Sequence, residues 1–181
     1  MAIVVEDGTG LATADSYLSV AGMTTYVAAF MRGNVAWSGA TTANQEEWLR
    51  EGTQALDLLF AARWRGVRSN ELQALAFPRR GIKDNDGFTV DADTLPTKIA
   101  NACAEMTWRA MNVGGEDTTT GDSTKLIADD SDAVIASESV AVGGIKSSTS
   151  YMGGKSGRTE YRKVAYMLAA FITIGGSISR G

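Results

Sequence analysis

Residues 64–87 read WRGVRSNELQALAFPRRGIKDNDG, and the fold turns on whether this stretch is a metal loop, a nucleic-acid grip or a bend in the architecture. Asp84-Asn85-Asp86-Gly87 has the look of a calcium loop, in which glycine takes the sixth position behind oxygen ligands at the first, third and fifth. With Gly87 sixth, the first ligand position falls on Ile82 and the closing glutamate position on Asp93, so the frame fails. Asn, Asp and Gly tolerate positive φ, which makes the same run a turn. The flanking extended pieces Gly81–Lys83 and Phe88–Val90 then pair as an internal β-hairpin near residues 80–91. Upstream, Ser69–Ala76 is expected to form a short helix that Pro78 ends, because the residue before proline avoids helical geometry.

Working outward, Ser19 is placed to cap a helix over 20–32 with Val20, Met23, Val27 and Phe30 on one face and Gly33 as its stop. Asp15, Ser16 and Tyr17 form its entry. Thr42 and Gln45 have capping-box spacing at the start of a second helix reaching about Ala62. Its apolar stripe is Trp48, Leu49, Ala55, Leu56, Leu59 and Phe60, and Gly52 is either a weak point or a place of close helix approach. Pro96 fits the first turn of a third helix, along which Ile99, Cys103, Met106 and Ala110 recur at helical spacing up to Gly114-Gly115. Residues 116–137 turn acidic and rich in Thr, Ser, Asp and Gly, which predicts a long loop. The run VIASESVAVGGIKSSTSY alternates small apolar and polar residues about Gly143-Gly144, as a β-hairpin or extended arm does. Val164, Met167, Leu168 and Phe171 give the last segment helical spacing before a GGSISRG tail. The expected fold is mainly α (α+β): a small bundle of about four helices with an internal β-hairpin and an extended β arm. Its parts are a helical core with the hairpin over 1–115, an acidic loop and β arm over 116–157, and a C-terminal helix and tail over 158–181.

Composition narrows the chemistry. The 181 residues are 44% hydrophobic, enough for a real core, but hold no histidine and only one cysteine. The commonest general base, the commonest transition-metal ligand and any disulfide within the chain are thereby absent. Cys103 lies on the apolar face of the third helix and reads as a small buried hydrophobe. A net charge of −4 opposes nucleic-acid coating by bulk electrostatics. GGKSG at 153–157 echoes a phosphate-binding loop, but the required first glycine is Thr149, so a flexible joint is the better reading. MAIVVEDGTG lacks the flanks of a signal peptide, and the apolar run around Val164–Ile174 is too short to span a membrane. We therefore expect a soluble protein made in a cytoplasm, without metal or cofactor.

One cluster resists that bland reading. Arg63, Arg65, Arg68, Arg79, Arg80 and Lys83, interleaved with Trp64 and Phe77, form a candidate nucleic-acid patch. The competing reading pairs these cations with carboxylates of this chain or a neighbouring subunit, which the acidic 116–138 region supplies.

Arg63, Trp64 and Gly66, then Phe77-Pro78-Arg79, Gly81 and the Asp86-Gly87 turn, together resemble the signature of a tailed-bacteriophage head-to-tail adaptor, or head-completion, family. Its members are often labelled DnaT-like single-stranded-DNA-binding proteins. The entry Asp15-Ser16-Tyr17, Trp37 and the start of the third helix fit as well, so the resemblance covers about residues 4–112. Phe77 stands where tryptophan is common, and 116–137 is longer than usual. The resemblance implies a non-enzymatic structural virion protein, made in the host cytoplasm and placed at the head–tail junction. It implies a ring of copies matching the twelve-fold portal, with the portal protein and a tail-side protein as partners. Double-stranded DNA would pass through the channel without sequence-specific binding, and no membrane would be involved. Terminal segments of such adaptors wedge between portal subunits, which puts Phe171, Ile174, Ile178 and Arg180 at the portal contact. Arg65, Arg68, Arg80 and Lys83 would then face the DNA channel or a neighbouring subunit. The alternative is a replication-type single-stranded-DNA-binding protein that grips the strand through the Arg63–Lys83 cluster and stacks bases on Trp64 or Phe77.

Overall fold

A computed structural model describes residues 2–31, 35–113, 137–142, 145–150 and 162–173. Among them are five helices, α1 (Val20–Phe30), α2 (Val35–Gly39), α3 (Thr42–Phe60), α4 (Thr97–Val113) and α5 (Arg162–Met167). Two antiparallel ribbons complete the fold, β1 (Val67–Arg68) with β2 (Arg79–Arg80), and β3 (Ser137–Val142) with β4 (Ile145–Ser150). The class is mainly α with small β pieces, as the sequence pattern predicts.

α3 and α4 form the centre. Leu49, Ala55, Leu56 and Phe60 of α3 are buried, and Ile99, Cys103, Met106 and Ala110 present the face that their spacing predicts on α4. Gly52 settles as the close approach: a Cβ there would lie 2.5 Å from the Thr107 backbone nitrogen. Around this pair the core divides. Tyr17, Phe77, Ile82, Val164, Leu168, Phe171 and Ile172 pack on one side, and Met23, Tyr26, Val27, Trp37 and Met111 on the other.

Several local expectations are corrected by tertiary contacts. Ser19 does cap α1, its Oγ accepting from Gly22 N–H at 3.0 Å, but Phe30 is exposed and Tyr26 takes the inner face beside Met23 and Val27. α3 is capped one residue earlier than predicted, by Thr41, whose Oγ1 accepts from Asn44 N–H at 3.3 Å. Gln45 instead donates from Nε2 to the Trp37 carbonyl at 2.8 Å, fixing α2, a helix the sequence did not announce. Ser69–Ala76 is not helical. Asn70 Oδ1 accepts from Leu72 N–H and Gln73 Oε1 from Asn70 N–H, so side chains close a turn there in competition with helix.

The C-terminal helix stops at Met167, short of the predicted length, and the chain turns back so that Ile172 bridges Trp64 in antiparallel sense. Val164, Leu168, Ala170, Phe171 and Ile172 thus share one core cluster with residues of α3 and α4. The β3–β4 hairpin matches the expected arm. Of the acidic loop expected over 116–137 only Ser137, in β3, is among the described residues, and the GGKSG joint lies outside them.

Gly52→Ala forces α3 and α4 apart. It is expected to lower unfolding stability by about 1–3 kcal/mol, read as a lower urea midpoint, whereas Gly39→Ala, which meets nothing within 4 Å, leaves the midpoint in place.

Candidate nucleic-acid and partner surface

The candidate surface grows from the chain reversal after α3. Arg65 N–H donates to the Phe171 carbonyl at 2.8 Å, and Thr173 N–H donates to the Arg63 carbonyl at 2.7 Å. Side chains reinforce the same seam, with Arg63 Nε on the Thr173 carbonyl and Arg65 Nη1 on that of Ala170. Gly66 follows at φ +67°, and a Cβ there would lie 2.4 Å from the Arg80 carbonyl oxygen, so β1 can lie against β2 only with glycine at this point. Arg79 crosses the ribbon and holds it. Its Nε donates to the Arg65 carbonyl at 2.7 Å, Nη2 to Gly66 at 2.8 Å and Nη1 to Ala76 at 3.2 Å. Arg68 does likewise with the carbonyls of Gln73 and Glu71.

Under the ribbon lies an aromatic chain. Phe60, Trp64, Phe77 and Phe171 meet edge to face in sequence, with centroids 6.1, 5.6 and 5.5 Å apart. The Phe77–Pro78 peptide bond is cis. Tyr17 reaches this layer from the N-terminal entry, donating from its hydroxyl to Asp57 Oδ1 at 2.8 Å and accepting from Phe77 N–H at 3.0 Å. Asp57 Oδ2 accepts from Ala76 N–H at 2.8 Å. Burial raises the Asp57 carboxyl to about 6 despite these hydrogen bonds and the Arg79 charge. Burial, then the Asp57 charge, pushes the Tyr17 hydroxyl well above its usual value, and burial lowers Arg79 and raises the Cys103 thiol.

The hairpin beyond Gly81 is present and is organised by Asp84. Its Oδ1 accepts from Asp86 N–H at 3.0 Å and Phe88 N–H at 2.8 Å, Lys83 bridges Thr89, and Gly87 sits at φ +90°. Asp84 of the supposed calcium loop therefore serves the turn itself. Among the described residues no group of His, Cys, Asp and Glu could hold a metal ion.

Arg65, Arg68, Arg80 and Lys83 are all exposed, with Arg68 and Arg80 on the paired strands β1 and β2. The carboxylates anticipated as their partners, in 116–138, lie almost wholly outside the described residues; among the described residues the ion pairs join Arg50 to Asp15 and Glu46, and Arg109 and Lys163 to Glu105. The guanidinium groups of Arg65, Arg68 and Arg79 bond neutral carbonyls, while the adjoining hairpin brings Asp84, Asp86, Asp91 and Asp93 close in sequence to Lys83. Phe77 is fully buried, so it offers no face to a base, and Trp64 is half-buried between Phe60 and Phe77. Phe171, expected at the portal, is in the core at 4% exposure because the chain reversal seats it on Phe77. Ile174, Ile178 and Arg180 lie outside the described residues.

Two buried carboxylates escaped the sequence reading. Glu6 gathers the N–H groups of Gly8, Gly10 and Leu11 within 2.9 Å, which shapes the entry loop. Glu105, on α4, accepts from the Tyr26 hydroxyl at 2.7 Å and pairs with Lys163 and Arg109, joining α1, α4 and α5. Burial opposes its charge, yet Lys163, Tyr26 and Arg109 hold its carboxyl below the usual range. The signal in the sequence is its i,i+4 spacing to Arg109 on α4.

Arg79→Lys removes a planar donor that reaches three carbonyls at once, and a loss of about 2 kcal/mol is expected in chemical unfolding. Asp57 gives a pH signature. Its folded carboxyl near 6 against 3.8 in an unfolded chain means that the native state holds the extra proton between those values. Its contribution therefore destabilises the fold as pH rises from about 4 to 6, by up to about 3 kcal/mol. Asp57→Asn is expected to remove that component, visible as a stability-against-pH curve more upward-sloping than that of the wild type over this range.

No curated protein and no solved structure matches the chain. A family model does, over residues 1–181, and its description is "Putative DnaT-like ssDNA binding protein". The seam, ribbon and turn just described occupy the same Arg63–Gly87 residues whose signature resembles this family. The chain belongs to the family so described.

Proposed function

We propose that the chain is a structural virion protein, a head-to-tail adaptor whose copies form a ring under the portal, extend the DNA channel and dock a tail-side protein. The observation that supports this reading best is the use of the signature residues. Trp64, Phe77 and Pro78 are packed inside, and Arg79 is committed to backbone carbonyls, so the motif builds a shape and holds no reactive group. The shape it builds carries exposed apolar residues, Val67 at 58%, Leu72 at 74% and Phe88 at 73%, on a chain of only 181 residues. Such residues, one on the ribbon and two in the turns beside it, fit contact with another protein. In this reading Ile174, Ile178 and Arg180 meet the portal, and Arg80 and Lys83 face a neighbouring copy or the channel.

Single-stranded-DNA binding is the second reading, and the family description favours it directly. The exposed Arg65, Arg68, Arg80 and Lys83 would contact phosphates, and only exposed rings such as Phe88 could stack on bases. Weighing against it are the net charge of −4 and the aspartates of the adjoining hairpin.

Two measurements separate the readings. Sedimentation with the portal protein of the same phage is expected to give a joint particle, lost when residues 174–181 are deleted, since the Arg63–Thr173 seam and hence the fold survive that cut. Anisotropy of a labelled thymidine oligonucleotide is expected to show no salt-sensitive binding at physiological ionic strength. Tight salt-dependent binding that disappears in Arg80→Ala with Lys83→Ala, together with no portal particle, would establish the second reading instead.

A further inference from the structure

Residues 67–80 form a flap. Its ends are paired, Val67 with Arg80 and Arg68 with Arg79, and a glycine at positive φ stands just outside each end, Gly66 at +67° and Gly81 at +78°. A Cβ on Gly81 would meet nothing within 4 Å, so the backbone has room to turn there. Hydrogen bonds from the flap to the body go mostly to other loops: Ser69 Oγ to the Ala92 carbonyl, Asn70 Nδ2 to that of Gly10, and Ala74 N–H to that of Leu11. Among the described residues one alone reaches a helix, from Ala76 N–H to Asp57 Oδ2 on α3 at 2.8 Å. Beside it Phe77 N–H donates to the Tyr17 hydroxyl, which itself donates to Asp57 Oδ1. One carboxyl therefore holds the foot of the flap twice, directly and through Tyr17.

That carboxyl is partly buried, and both groups that donate to it are neutral. No ion pair among the described residues includes it. Arg79 acts on it from β2 only through space, because the guanidinium donates to the carbonyls of Arg65, Gly66 and Ala76. Arg68 on β1 acts in turn on Arg79. Tyr17 faces the site from the entry segment and Cys103 from α4, and burial keeps both protonated. Taking water from a carboxylate without supplying a contacting cation favours its proton-bound form, and opening the site returns the water.

We propose that Asp57 is a proton-operated latch: with its proton bound the foot at Ala76 and Phe77 stays closed on α3, and with the proton lost the flap opens about Gly66 and Gly81 in a minor population while the helical centre stays folded. Burial pushes the closed carboxyl up to about 6, against 3.8 for a solvated aspartate. The closed state therefore holds the extra proton between those values. Opening is rarest below pH 4, grows as pH rises and levels off above 6, an increase of about a hundredfold. The flap carries the exposed Val67 and Leu72, so the latch sets how long that face stands in its closed arrangement. The latch does not depend on the adaptor reading.

Amide exchange of the full-length protein, followed by NMR over about pH 4 to 7.5 and corrected for the intrinsic chemical rate, tests the latch together with the carbon shift of the Asp57 carboxyl. The carboxyl is expected to titrate well above the ordinary aspartate range. The opening constants of Ala76 and Phe77 are expected to rise by about a hundredfold with pH over the same window and to exceed that of Met106 on α4, which reports unfolding of the centre. In Asp57→Asn, which keeps the side-chain shape but cannot ionise, the rise is expected to vanish. An Asp57 titration in the ordinary range, a flat opening constant at Ala76, or exchange of Ala76 and Phe77 only at the rate of Met106 would each overturn the latch, and all three are read on the wild-type chain even where the variant fails to fold. A folded Asp57→Asn that keeps the wild-type rise would overturn it as well.

Discussion

The edge-to-face run Phe60–Trp64–Phe77–Phe171 is the contact on which the rest of the structure depends. It takes one ring from the end of α3, one from the chain reversal, one from the foot of the ribbon and one from the C-terminal segment. Without that layer, α3 would have no reason to end where it does and residues 170–173 would have no surface on which to pair. Each ring buries a large apolar area in a preferred geometry. The run also explains why so short a ribbon as β1–β2 persists: two residues a side cannot hold themselves, but a ribbon anchored below by Phe77 and across by Arg79 can.

The arginines show how one residue type answers to two demands. A guanidinium presents a planar fork of donors, which suits phosphate and carboxylate, and equally suits a cluster of carbonyls that helix ends and tight turns leave unsatisfied. Here Arg63, Arg65, Arg68 and Arg79 meet carbonyls. Their charge remains, but their geometry is already fixed, which leaves Arg80 and Lys83 as the cations able to reorient toward a partner. Arg79 and Asp57 also act on one another through Ala76 and Tyr17, so the carboxyl raised by burial is steadied by two hydrogen bonds and a nearby cation.

The extended parts obey a different rule from the core. α3 and α4 bury their faces within the chain, whereas Val67 on β1 and Leu72 and Phe88 in the turns beside the ribbon stand exposed. In the adaptor reading proposed above, those apolar tips gain their burial in the assembly.

By itself the sequence determined the helical centre, the Ser19 cap, the Asp86-Gly87 turn and the failure of the calcium frame. These follow from spacing and from the φ preferences of single residues, which act locally. It also placed Arg65, Arg68, Arg80 and Lys83 within one short stretch. Tertiary structure decided what those residues do. Burial of Phe171, the seam between Arg63 and Thr173, the cap at Thr41 displacing Thr42, and the side-chain turn replacing a helix at 69–76 all depend on partners far along the chain or on competition between near-equal local options. Glu105 belongs with them: Arg109 lies one turn along the same helix, but Tyr26 and Lys163 reach the carboxylate from α1 and α5, a meeting that no local pattern encodes.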